Sequence, residues 1–162
     1  LDWLKLQEDA GWFYAGGELQ RRIAPPDLGG VALDGRIDRI DRHRDGTIRL
    51  VDYKTGNADV LARKVREPLE DTQLAFYAAL LTDEAHDAPP RAIYLALADR
   101  DKPRAIEHPD VALSASLLVD GLAADLDALR QGQGAPALGE GEACEHCDAR
   151  GLCRRDHWKA GP

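Results

Sequence analysis

The chain has no methionine, only three cysteines, no long apolar run and a deficit of positive charge. It starts at Leu1 inside an amphipathic run (Leu1, Leu4, Leu6, Trp12, Phe13), whereas a full open reading frame would begin with methionine, so it reads as an excised domain. Three cysteines is an odd number, and nothing indicates secretion, which argues against a disulfide scaffold. With no apolar run long enough to span a bilayer, no membrane partner is expected, and the expected location is cytoplasmic. The 21 Lys and Arg against 29 Asp and Glu leave a net charge of −8, although a stand-alone nucleic-acid binder is more often basic. Net charge bounds non-specific affinity, however, and leaves open the chemistry of a site. A length of 162 residues suits one domain with a sizeable core.

What is present is concentrated in residues 34–54. Asp45-Gly46 between two alternating apolar runs predicts a β-hairpin. Asp38 lies on the incoming strand and Asp52-Tyr53-Lys54 closes the outgoing one. Alternation puts Ile48, Leu50, Asp52 and Lys54 on one face and turns Tyr53 to the other, leaving the Tyr53 carbonyl as a further oxygen ligand. Two carboxylates can hold a hard cation through oxygen. Such a cation can activate water and neutralise charge on a phosphate, with Lys54 beside it. An isolated Asp-x-Lys is a weak signal, since charged strand ends are common.

Pro68 and the acidic pair Glu70-Asp71 predict a helix over residues 68–84. Gln73 and Tyr77 are four apart and share a face, where they could hydrogen-bond a phosphate or steady Lys54; taken alone, Tyr77 reads more simply as core beside Leu80 and Leu81. Positive charge clusters at Arg36, Arg39, Arg42, Arg44 and Arg49 and again at Arg63, Lys64 and Arg66, and most of these residues read as solvated faces. The second cluster, in the connection between Lys54 and Gln73, is a sensible place for a DNA-contacting loop.

Taken together, Gly35-Arg36-Ile37-Asp38, Val51-Asp52-Tyr53-Lys54-Thr55-Gly56 and Gln73-x-x-x-Tyr77 resemble the motifs of the RecB-like branch of the PD-(D/E)xK nuclease superfamily. The tail from Cys144 to Trp158 is similar to the cysteine cluster of AddB-type helicase–nuclease subunits of the iron–sulfur kind. The resemblance runs from about residue 18 to 158. It implies a restriction-endonuclease-like α/β fold with an αβββαβ core, a four-stranded mixed sheet flanked by helices. It also implies a Mg²⁺- or Mn²⁺-dependent DNA exonuclease domain acting on DNA ends in double-strand break repair and recombination, partnered by an AddA-like helicase–nuclease subunit. Carried over by motif, Asp38 and Asp52 are metal ligands, Lys54 is catalytic with them, and Gln73 and Tyr77 support the site; the Tyr53 carbonyl, from strand alternation, is the further metal ligand, and Arg63, Lys64 and Arg66, from their place in the connection, are the expected substrate contacts. Family members often carry a histidine upstream of the first strand; here no histidine precedes Asp38, and Glu18 is the candidate to line the metal site instead. The alternative is a catalytically silent nuclease-fold module for DNA binding or helicase assembly.

The cysteines at C-x2-C-x5-C spacing, Cys144, Cys147 and Cys153, admit three readings. In the parent protein the resemblance implies a [4Fe–4S] cluster, whose fourth cysteine is missing here. His157 could complete a zinc site. The third reading, favoured for this fragment, is three free thiols. The division expected is a nuclease core over residues 1–142 and a cysteine tail over 143–162.

The coarse order expected is a helix over residues 1–14, strands over 18–24, 31–42 and 47–54, and a loop or short helix over 55–67. The helix over 68–84 is followed by a strand over 91–97, an optional edge strand over 104–108, and a helix over 114–130 with Leu118, Leu122, Leu126 and Leu129 as its stripe.

Overall fold

The computed structural model describes residues 2–66, 69–82, 88–97, 102–134, 144 and 147. The chain divides into two compact units, residues 1–123 and 124–162.

Helix α1 (Asp2–Asp9) is short and leads directly into a strand, β1 (Trp12–Ile23). The expected helix over 1–14 is therefore too long. Gly11 stops it at φ +91°, a left-handed conformation that glycine adopts without steric cost. A side chain there would also run into the His43 ring, 2.8 Å from the ideal Cβ position. Trp12 and Phe13, which extend the helical spacing of the leucines, belong to β1. That strand starts well before residue 18.

Strands β2 (Leu33–His43) and β3 (Ile48–Lys54) form the expected hairpin, with Gly46 at φ +92°. The Asp45 carboxylate accepts the Thr47 N–H at 2.9 Å, and that bond with the neighbouring His43 pulls its carboxyl down to about 2. Helix α2 (Ala58–Lys64) is capped by Asn57, whose side chain accepts from the Asp59 and Val60 N–H groups. Arg63 and Lys64 complement its C-terminal end. Helix α3 runs only over Gln73–Ala79 instead of 68–84, with Leu69 in a left-handed conformation at φ +66° before it. Pro68 and the stretch 83–84 of that expectation lie outside the described residues. Strands β4 (Arg91–Ala96) and β5 (Arg104–Glu107) and helix α4 (Val111–Arg130) complete the order.

Among the described residues the strands form one five-stranded sheet in the order β1-β2-β3-β4-β5. The β3–β4 pair is parallel, joined through α2 and α3, and the other pairs are antiparallel. This is a restriction-endonuclease-like α/β fold, with the edge strand β5 added to the four strands expected. One face buries Val51, Ile93 and Leu95 under Trp3 of α1. Helix α3 packs on β2, β3 and β4, burying Leu74, Ala75, Ala78 and Ala79. Each fully buried leucine contributes about 1.5–3 kcal/mol. On α4 the buried residues are Val111, Ser114 and Ala115, whereas Leu118, Leu122 and Leu126 are half-buried and Leu129 is 48 % exposed. The leucine spacing is right for a helix, but the stripe buried is one turn earlier. No helix among the described residues is long and apolar enough to cross a membrane.

His108, after β5, is buried, and its Nδ1 accepts the Asp110 N–H at 3.2 Å. Burial lowers the pKa of this imidazole. A depressed histidine leaves stability intact above its unfolded value near 6.5 and takes it away as pH falls below that value. We therefore expect the urea midpoint to drop as pH falls below about 6.5, and His108→Phe to flatten that drop.

Candidate active site

The hydrogen-bonded register of β2 and β3 ends at Arg39↔Val51. Beyond it the Tyr53 N–H is taken by the Asp38 carboxylate, Oδ2 at 3.2 Å. A side chain here accepts a strand amide, and the carboxylate is thereby held at the end of the hairpin that carries Asp52 and Lys54.

On β3, Leu50 is fully buried and Asp52 is 1 % exposed, as their shared face requires. Lys54 Nζ lies 2.8 Å from Asp52 Oδ2, but off the directions that make a hydrogen bond, so this oxygen is buried with an ion-pair partner and no hydrogen bond. Gln73, the first residue of α3, connects the pair. Its Oε1 accepts from Lys54 Nζ at 2.6 Å, and its Nε2 donates to Asp52 Oδ1 at 2.8 Å and to the Tyr77 hydroxyl at 3.1 Å. Burial raises the Asp52 carboxyl above the usual range, Lys54 opposes this, and the charges of Asp38 and Asp71 add to it. Asp38, Asp52, Lys54, Gln73 and Tyr77 are thus gathered at one end of the sheet.

The other candidates are placed differently. Tyr53 faces away, 39 % exposed, with its hydroxyl 3.4 Å from Arg39 Nη1. Glu18 lies on β1 between the pairs Gly17↔Arg39 and Leu19↔Ile37, level with Asp38, in a left-handed conformation at φ +52°. Its carboxylate is in an exposed ion pair with Arg36 at 3.0 Å, and no described contact takes it to Asp52 or Lys54. Arg63, Lys64 and Arg66 are exposed. Arg63 and Arg66 line an open depression of about 530 Å³ together with Arg104, which sequence reasoning did not single out. Lys64 Nζ is 3.9 Å from Asp71 Oδ2. A larger cavity of about 590 Å³, between Pro25, Ala78 and Ala115, is lined by none of the candidate residues. In the second unit Cys144 is half-buried and Cys147 exposed, both as free thiols; Cys153 and His157 lie outside the described residues.

Sequence reasoning missed two contributors. Tyr94 donates to Asp71 Oδ1 at 2.5 Å, and Lys54 Nζ sits 5.1 Å from the Tyr94 ring centre. Tyr94 reads as one more residue of an alternating strand, and Asp71 as a helix-start acid. The signal available was the tyrosine in a position that a leucine would fill, since a buried phenol needs a partner.

A family model described as the PD-(D/E)XK nuclease superfamily matches residues 2–154. The chain belongs to the PD-(D/E)XK nuclease superfamily. A nuclease-type activity, with the DNA binding that it entails, follows from that membership. A search of the curated proteins finds no match. Nucleases of the superfamily typically use divalent metals such as Mg²⁺ or Mn²⁺, so the residues can be tested for fit. Among the described residues no group of three or more His, Cys, Asp or Glu side chains could by itself hold a metal ion. Two carboxylates are available, and one buried oxygen, Asp52 Oδ2, lacks a hydrogen bond. An all-oxygen, acidic and incomplete donor set suits Mg²⁺, which keeps several waters and is bound through one or two carboxylates plus phosphate oxygens. The residues fit.

Proposed function

We propose that this chain is a metal-dependent DNA exonuclease domain of the RecB-like branch, closest to AddB-type helicase–nuclease subunits, hydrolysing phosphodiester bonds at DNA ends in double-strand break repair and recombination. The observation that carries the reading is the Asp52–Lys54–Gln73 cluster beside Asp38 at the open end of the β2–β3 hairpin. In this reading residues 1–142 are the nuclease core and 143–162 a cysteine tail whose Cys144, Cys147 and Cys153 are ligands of the iron–sulfur kind. The partner is an AddA-like subunit.

Asp38, Asp52 and the Tyr53 carbonyl would hold Mg²⁺ or Mn²⁺, which supplies Lewis-acid neutralisation of the phosphate when bound. The chain's own residues do the rest. Lys54 places its ammonium where charge develops on the phosphate oxygens. Gln73 fixes that ammonium through Oε1 and holds Asp52 through Nε2, so both are set before substrate arrives. Water adds to phosphorus as the bond to the 3′ oxygen breaks; that oxygen takes up a proton and a 5′ phosphate remains.

The exonuclease reading predicts Mg²⁺-dependent release of nucleotides from linear DNA and no cutting of circular single strands. Nicking of circles would contradict it. Arg63 and Arg66 supply phosphate contacts. The Arg63→Ala/Arg66→Ala variant, titrated with DNA in chelator, should bind more weakly and lose about 1–2 from the slope of log affinity against log salt. An unchanged slope would remove the two arginines from the interface.

A further inference from the structure

Tyr94 is fully buried, and the parallel register sets it directly beside Asp52. Cross-strand partners share a face of the sheet, so its ring lies on the same side as Asp52 and Lys54. Both ends of this side chain are in use. Its ring face is 5.1 Å from Lys54 Nζ, within cation–π range. Its hydroxyl donates to Asp71 Oδ1 at 2.5 Å, and the same oxygen accepts the Gln73 N–H at 3.1 Å. Thr72, the residue before α3, makes no side-chain cap bond, so Asp71 takes over the first amide of the helix. Gln73 then reaches back to Lys54 and Asp52, and the contacts close into a ring of five residues: Asp52, Lys54, Tyr94, Asp71, Gln73.

A tyrosine kept for packing alone would need one hydrogen bond to any neighbour. Here the ring and the hydroxyl both end on groups that set the site. Lysine carries a long flexible stem whose ammonium has no fixed direction of its own. A ring beneath it, Gln73 Oε1 beside it and Asp52 next to it restrict where it can go.

We infer that Tyr94 and Asp71 are positioning residues of the nuclease site: the Tyr94 ring holds the Lys54 ammonium, and the Tyr94 hydroxyl locks Asp71, which sets the first turn of α3 and with it the Gln73 side chain. The consequence for catalysis rests on the nuclease reading, whereas the positioning itself is measurable in metal-free protein.

The experiment compares wild type with Tyr94→Phe, Tyr94→Leu, Asp71→Ala and Asp71→Asn, each checked for folding by circular dichroism. In metal-free protein, NMR should find the Lys54 ε-methylene protons shifted upfield by the ring in wild type and Tyr94→Phe, with the shift lost in Tyr94→Leu. With Mg²⁺, Tyr94→Phe and Asp71→Ala should lower kcat on DNA by about 10- to 100-fold with KM nearly unchanged. Tyr94→Leu should fall further, and Asp71→Asn, which keeps an acceptor oxygen, should recover most of the rate. A purely structural role would lower the melting temperature and leave kcat per folded molecule unmoved. Wild-type kcat in folded Tyr94→Phe, or Lys54 protons unchanged in Tyr94→Leu, would overturn the inference. If wild type cuts no DNA with any metal, the nuclease reading fails and the NMR comparison alone decides the positioning.

Discussion

The Asp52→Asn variant is expected to lose DNA cleavage by about a thousandfold or more while becoming more stable than wild type in metal-free solution at neutral pH. The loss follows from removing a charged ligand and the partner of Lys54. The gain follows from burial. Asp52 is 1 % exposed, with one oxygen lacking a hydrogen bond, and burial raises its pKa. A carboxyl raised on folding keeps its stability below its unfolded value near 3.8 and gives it up as pH rises through the higher folded value. Wild type therefore carries the cost of a buried charge at pH 7, which the neutral amide avoids. Adding Mg²⁺ should raise the melting temperature of wild type and leave that of Asp52→Asn unmoved, because only a species that binds the folded state stabilises it. Thermal melts with and without metal check both parts. A less stable metal-free variant would contradict the burial argument, and an equal Mg²⁺ shift would remove Asp52 from the metal site.

The second large effect lies on the opposite face of the sheet. Asp41 is fully buried and holds two arginines, Arg39 Nε at 2.6 Å and Arg49 Nη2 at 2.8 Å. Arg49 also donates to Gln7 at 2.7 Å and lies 4.2 Å from the Trp12 ring centre, tying α1 to the sheet. Truncating Asp41 leaves the buried Arg49 without its counter-charge, and breaking such a pair costs about 3–5 kcal/mol. That is a large share of the roughly 5–15 kcal/mol that holds a domain together. Asp41→Ala should therefore shift the urea midpoint strongly downward, and a loss under about 1 kcal/mol would show that solvent reaches the pair.

Much of the site was legible because its residues sit in short periodic segments. Alternation alone put Asp52 and Lys54 on the face of Leu50, and the four-residue spacing put Tyr77 beside Gln73, where their side chains now hydrogen-bond. The hairpin was legible from Asp45-Gly46, whose glycine takes the positive φ that the turn needs. The start of the chain departs from the expected helix because Leu4, Leu6, Trp12 and Phe13 keep a helical spacing across Gly11, and a periodic pattern does not register one left-handed glycine. The helix expected over residues 68–84 is longer than α3 because Pro68, Glu70 and Asp71 are all good helix-start residues. Asp71 instead spends its carboxylate on Tyr94 and the Gln73 amide before the helix begins. The contact with Tyr94 joins residues 23 apart in sequence, beyond any local pattern. Arg104 lay hidden in the same way, since only the fold brings β5 beside α2, where Arg104 pairs with Asp59 at 2.8 Å.

The central claim is that the Asp–Asp–Lys set at the open end of the hairpin cuts DNA with a divalent metal. Its most direct test is cleavage of linear single- and double-stranded DNA by this chain in Mg²⁺, in Mn²⁺ and in chelator, beside a folded Lys54→Ala variant. The account predicts cutting that requires metal and falls by at least about a hundredfold in the variant. Metal-dependent cutting that survives Lys54→Ala undiminished would contradict it.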